Sequence, residues 1–128
     1  MTALLDTHTL LWTIYSPASL SANAAEMLRD ERNEFLVSAA TAWEIATKVR
    51  IGKMPQAERL ERNFLDAMLR GGYRLRSITT EDALRAGRLI GSHRDPFDRM
   101  IAAQALADDI PILSNDAKLD GFGVHRIW

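Results

Sequence analysis

A chain of 128 residues, 47% hydrophobic and 26% charged, is long enough for one domain with a sizeable core. It has no cysteine, which excludes disulfides, thiolate metal sites and cysteine nucleophiles and is compatible with a cytoplasmic setting. The net charge of −1 does not advertise nucleic-acid binding, yet 13 arginines stand against 3 lysines, and arginine favours planar contacts to phosphate or carboxylate.

No apolar run approaches the ~18 residues a membrane span needs. The opening Met1-Thr2-Ala3-Leu4-Leu5-Asp6 has no basic region before its apolar residues, so no signal peptide is expected. Ala3-Leu4-Leu5 reads as a buried first strand ending at Asp6-Thr7-His8. Thr9-Leu10-Leu11-Trp12 begins a short helix or turn that Ser16-Pro17 breaks. Ser21 is placed to cap a helix through about Asp30. Phe35-Leu36-Val37 is a second buried strand ending at Ser38, and a helix follows from about Ala40 to Arg50, closed by Gly52 in the C-cap role.

Pro55 opens another helix, with Leu60, Phe64, Leu65, Met68 and Leu69 expected on one face, ended by Gly71-Gly72. Tyr73 to Ile78 alternates apolar and polar, as a half-buried strand near a sheet edge does. Thr79 or Thr80 caps a helix to about Ile90, stopped by Gly91. Asp95-Pro96-Phe97-Asp98-Arg99 then starts a helix, with Asp95 as its cap and Pro96 at its first position. Ile110-Pro111-Ile112-Leu113 is a short strand that stops at Ser114-Asn115-Asp116, and Val124 to Trp128 is a last short strand. The alternation predicts an α/β protein with a parallel sheet covered by helices on both faces. Ligand sites in such sheets lie at the C-terminal strand ends.

On that reading Asp6 and Asp116 stand at strand ends, Glu44 early in one helix and Asp98 in the first turn of another. Two unit charges about 5 Å apart at an effective dielectric near 20 repel by roughly 3 kcal/mol. Four converging carboxylates therefore either take up protons or bind a cation, and oxygen ligands suit Mg²⁺ or Mn²⁺. Each acid also has an ordinary structural reading. Asp98 is spaced to cap reciprocally with Asp95, Glu44 to pair with Lys48, and Asp116 to hold a turn; Asp6, directly after a buried strand, is the hardest to read that way. Thr7 and Ser114 read as strand-end hydroxyls able to orient a ligand, and His8 as packed or exposed. His93 and His125 carry no functional signal.

Four stretches resemble the PIN domain: Leu4-Leu5-Asp6-Thr7-His8, Ser38-Ala39-Ala40-Thr41-Ala42-Trp43-Glu44-Ile45, Asp95-Pro96-Phe97-Asp98-Arg99-Met100-Ile101-Ala102-Ala103-Gln104-Ala105 and Ser114-Asn115-Asp116. They are most similar to its VapC-type branch, the toxins of type II toxin–antitoxin pairs. The resemblance implies an α/β/α sandwich with a parallel sheet of four to five strands in one domain over residues 1–128. It implies Asp6, Glu44, Asp98 and Asp116 as catalytic, Mg²⁺- or Mn²⁺-binding residues of a ribonuclease that hydrolyses RNA through a metal-activated water. It also implies a small antitoxin as partner and a homodimer. Arg94 and Arg99, flanking the acidic positions, are candidates for the RNA backbone. A catalytically silent PIN-fold binding module and a receiver-type phosphoacceptor domain are the alternatives. The second would want an acidic neighbour beside Asp6 and a lysine after a late strand, neither of which is present.

Overall fold

The computed structural model describes the chain from Met1 to Trp128. Its five strands are β1 (Thr2–Leu5), β2 (Glu34–Ser38), β3 (Arg74–Arg76), β4 (Ile112–Leu113) and β5 (Arg126–Ile127). They form one sheet in the order β3-β2-β1-β4-β5, with every neighbouring pair parallel. Seven helices connect them: α1 (Thr7–Tyr15), α2 (Ala22–Arg29), α3 (Ala39–Arg50), α4 (Glu58–Arg62), α5 (Phe64–Gly71), α6 (Thr80–Arg88) and α7 (Pro96–Asp108). A receiver-type domain has the order 2-1-3-4-5; the observed order excludes that alternative.

The central strands are apolar except at their ends, Thr2, Glu34 and Ser38, because both faces are covered. Successive residues point to opposite faces. Ala3, Leu5, Phe35, Val37 and Leu113 enter one core with Leu10 of α1, Ala24 of α2, Ile45 of α3, Leu60 of α4 and Met68 of α5. Leu4, Leu36 and Ile112 enter the other with Ala86 of α6 and Ile101, Ala102 and Ala105 of α7. Leu4 and Leu5 are both buried, each contributing about 1.5–3 kcal/mol by removal from water. No helix is long and apolar enough to cross a membrane.

Several boundaries differ from expectation. The first helix starts at Thr7, directly after Asp6, rather than at Thr9. The helix expected from Pro55 is a 3-10 turn (Pro55–Ala57) followed by two helices that break at Asn63. The Asn63 side chain donates to the Arg59 carbonyl, a local bond that competes with helix continuation. The break turns the second helix, so Leu65 and Leu69 face solvent while Leu60 and Met68 stay buried. In β3, which is the sheet edge as expected, Leu75 is exposed and Arg76 turns inward to Asp82 and Asp108. α6 ends at Arg88, two residues early, and leaves Ile90 exposed. Gly52 follows the C-cap of α3 with φ +78°, the left-handed conformation that ends a helix.

Candidate active site

The strand order reverses between β1 and β4. One connection leaves β1 toward β2, and another crosses from β3 back to β4, opening a crevice at the C-terminal ends. Asp6 follows β1 and occupies the N-cap position of α1; Ser114 follows β4. Ser114 Oγ donates to Asp6 Oδ2 at 2.6 Å and accepts from the Asp116 N–H at 3.0 Å, so one hydroxyl links two of the acids. Asp6 is buried, and burial pushes its carboxyl above the usual range. The Ser114 hydrogen bond opposes that push, while the Glu44 charge adds to it. Behind it, Thr7 and Thr41 share a buried hydroxyl–hydroxyl hydrogen bond of 3.0 Å that joins α1 to α3.

Glu44 lies in the second turn of α3. Ser38, the last residue of β2, caps that helix by accepting from the Ala40 N–H at 2.9 Å. Its hydroxyl also donates to the buried Gln104 of α7, which fixes α3 against the helix that carries Asp98. Glu44 is buried and paired with Lys48 through Oε2, while Oε1 is buried without a partner. Burial works against the Lys48 ammonium, but the Glu44 carboxylate outweighs it and raises the lysine pKa; Asp95 and Asp98 act in the same direction.

Asp95 caps α7 with one carboxylate oxygen that accepts from the N–H groups of Phe97 and Asp98. Asp98 makes no reciprocal bond back; its Oδ2 instead meets His93 Nε2 at 2.7 Å. Burial raises the Asp98 pKa to about 6. The His93 contact opposes the shift, and the charges of Asp6, Asp95 and Glu44 reinforce it. Asp116 caps the 3-10 segment Ala117–Phe122, accepting from Lys118 N–H at 3.0 Å. Donor atoms of His93, Asp98 and Asp116 lie within 4.8 Å of one another.

Of the four expected acids, Asp98 and Asp116 thus share one cluster. Asp6 and Glu44 are coupled to each other and to Asp98 through their charges. The ordinary reading of Asp116 as a cap and of Glu44 as an ion-pair partner also holds, although the Glu44 pair is buried rather than on the surface. His8 is exposed, its ring tilted against Trp12. Arg99 corrects an expectation. Its guanidinium donates to the carbonyls of Ala86, Leu89 and His93 and lies 5.3 Å from the Phe122 ring centroid, so it braces the loop between α6 and α7 rather than standing free for RNA. Arg94 is exposed and lines a hollow of about 340 Å³ with His93 and Lys118. The residue the sequence reading missed is His93. It lies in a loop, five residues before Asp98, where no pattern marks it.

The donor set fits a hard divalent ion. Most donors are carboxylate oxygens, burial and then their mutual repulsion raise two of the pKa values, and a buried Glu44 oxygen lacks a partner. Comparison with known proteins agrees with this architecture. The chain is 46% identical over 46 residues to "Ribonuclease VapC16" of Mycobacterium tuberculosis, a stretch that spans 36% of this chain and about a third (33%) of that relative's length. The fold resembles a chain of the VapBC2 complex from Rickettsia felis bound to a DNA fragment from its promoter, with TM-score 0.73, 19% identity and coverage of 99% of this chain and 98% of that one. It also resembles a chain of VapBC-1 from nontypeable Haemophilus influenzae, with TM-score 0.67, 16% identity and coverage of 99% and 97%. The PIN domain family model matches residues 3–124, a span that takes in β1 with Asp6, the two capped helices with Glu44 and Asp98, and Asp116 beyond β4; this chain belongs to the PIN domain family.

Proposed function

We propose that this protein is a metal-dependent endoribonuclease, the VapC-like toxin of a type II toxin–antitoxin pair, acting in the cytoplasm. The observation that carries the reading is the cluster of Asp98 and Asp116 beside His93, with the charges of the buried Asp6 and Glu44 acting on Asp98 and a Glu44 oxygen unpartnered. The relative named as a ribonuclease and the two VapBC complexes of like fold support it. They also support a small antitoxin as partner; a homodimer is part of the same reading.

Asp6, Glu44, Asp98 and Asp116 would hold Mg²⁺ or Mn²⁺. When bound, such an ion supplies a lowered pKa for an attacking water and neutralises charge developing on the phosphate. The chain's own residues do the positioning. Ser114 fixes the carboxylate of Asp6, Lys48 fixes that of Glu44, and the Asp95 cap fixes the first turn of α7 and with it Asp98. No side-chain nucleophile is needed. The exposed Arg94 and Lys118 offer the only nearby cations in the hollow beside the cluster, suited to an RNA phosphate.

Purified protein incubated with RNA, followed by sequencing of fragment 5′ ends, tests the reading. Defined cleavage sites bearing 5′-phosphates are expected from the wild type and not from Asp98→Asn. An inert wild type overturns it.

A further inference from the structure

The geometry points to His93 as a nitrogen ligand in the metal site proposed above, completing a set with Asp98 and Asp116. This rests on that proposed site and goes beyond its four carboxylates. Three observations carry it. Nε2 of His93 stands 2.7 Å from Asp98 Oδ2, and both lie within 4.8 Å of an Asp116 oxygen. Neighbouring ligands of a hard divalent ion stand roughly 3 Å apart, close to the 2.7 Å between His93 Nε2 and Asp98 Oδ2.

The imidazole is also held in place from behind. Arg99 grips the His93 carbonyl at 2.9 Å while it grips two carbonyls at the end of α6, and the ring of Phe122 lies 6.0 Å from the His93 ring. Phe122 packs so close to the same loop that a Cβ at Gly91 would sit 2.9 Å from its ring. A loop braced this way presents one side chain to the cluster rather than sampling many. The third observation is independent of the loop. Glu44 Oε1 is buried without a partner, and the Glu44 charge acts on Asp98.

With its ring proton on Nδ1, His93 would offer the Nε2 lone pair to a bound ion in place of its hydrogen bond with Asp98. A nitrogen donor shifts preference from Mg²⁺, which is content with oxygen, toward Mn²⁺ and later transition ions. The site therefore favours Mn²⁺ over Mg²⁺ more than an all-carboxylate site does.

Electron spin echo modulation of Mn²⁺ bound to the intact protein tests this. The wild type is expected to give ¹⁴N modulation that changes on ¹⁵N-histidine labelling, vanishes in His93→Gln and persists in His8→Gln. Calorimetric titration is expected to show Mn²⁺ binding weakened about tenfold or more in His93→Gln, with Mg²⁺ weakened less. Bound Mn²⁺ without histidine nitrogen coupling in the wild type overturns the ligand assignment and leaves the carboxylate site standing. A wild type that binds no Mn²⁺ overturns both.

Discussion

The hydroxyl of Ser114 donates to the carboxylate of Asp6 at 2.6 Å, joining residues 108 positions apart and binding the end of β4 to the end of β1. The same oxygen accepts from the Asp116 backbone. One small side chain therefore sets the geometry of two acids and offsets part of the penalty of burying Asp6. Ser114→Ala is expected to lower stability by about 1–3 kcal/mol, the loss expected when buried polar groups are left unpaired. Urea denaturation of the two proteins checks this, and RNA cleavage by the variant is expected to fall with it.

Removing one of these carboxylates removes repulsion as well as a proposed ligand. Asp6→Asn and Asp98→Asn are expected to lose RNA cleavage by about a hundredfold or more, the several kcal/mol that an ion's charge stabilisation represents. Metal-free, both are expected to be at least as stable as the wild type near neutral pH. Cleavage kinetics and thermal melting, measured on the same preparations, check the two halves of this prediction. A folded Asp98→Asn that cuts at the wild-type rate contradicts it.

The raised pKa of Asp98 makes the metal-free protein sensitive to pH in a definite direction. The folded carboxyl titrates at about 6 and the unfolded one near 3.8, so the folded state holds the proton more tightly. The stabilising effect of protonation is complete below pH 3.8 and is lost as pH rises through 6. Linkage puts an upper limit of about 3 kcal/mol on the effect, and solvent at this partly exposed group reduces it to about 1–2 kcal/mol. Denaturation in chelator at pH 4.5 and pH 7 is expected to show the fall in wild type and little of it in Asp98→Asn. Added Mn²⁺ is expected to restore stability at pH 7 and to do little at pH 4.5.

Arg76 is a structural arginine. It forms a fork with Asp82 at 2.8 and 3.0 Å and also reaches Asp108, tying β3 to α6 and α7. Burial works against the Asp82 charge, but Arg76 and the Thr79 N–H outweigh it and hold the carboxyl at about 2. That contribution is present above pH 3.8 and is lost as pH falls toward 2. Arg76→Met is expected to cost about 3 kcal/mol by leaving Asp82 buried and unpaired, while cleavage per folded molecule stays the same. Denaturation and active-fraction assays separate these effects.

Much of the site was legible because its acids sit where local rules act. Asp6 ends a continuous apolar run, and Asp95 with Pro96 is a helix start in any context, which dates the first turn containing Asp98. The parallel sheet followed from alternating signals, and its two-faced burial from the apolar β1 and β2. His93 was not legible, because a loop residue has no periodicity and its partner is fixed by the Arg99 clamp. Arg99 itself reads alike whether its fork meets phosphate or three carbonyls. The faces of α4 and α5 were misassigned because a single break at Asn63 changes the phase of everything after it.

Divalent-ion control of RNA cleavage is the property on which the proposed site depends most. A defined single-stranded RNA is incubated with purified protein that has been stripped with chelator, then supplied with Mg²⁺ or Mn²⁺ in excess. No cleavage in chelator and full recovery with either ion are expected. Cleavage at an unchanged rate in the stripped protein would contradict the proposed site.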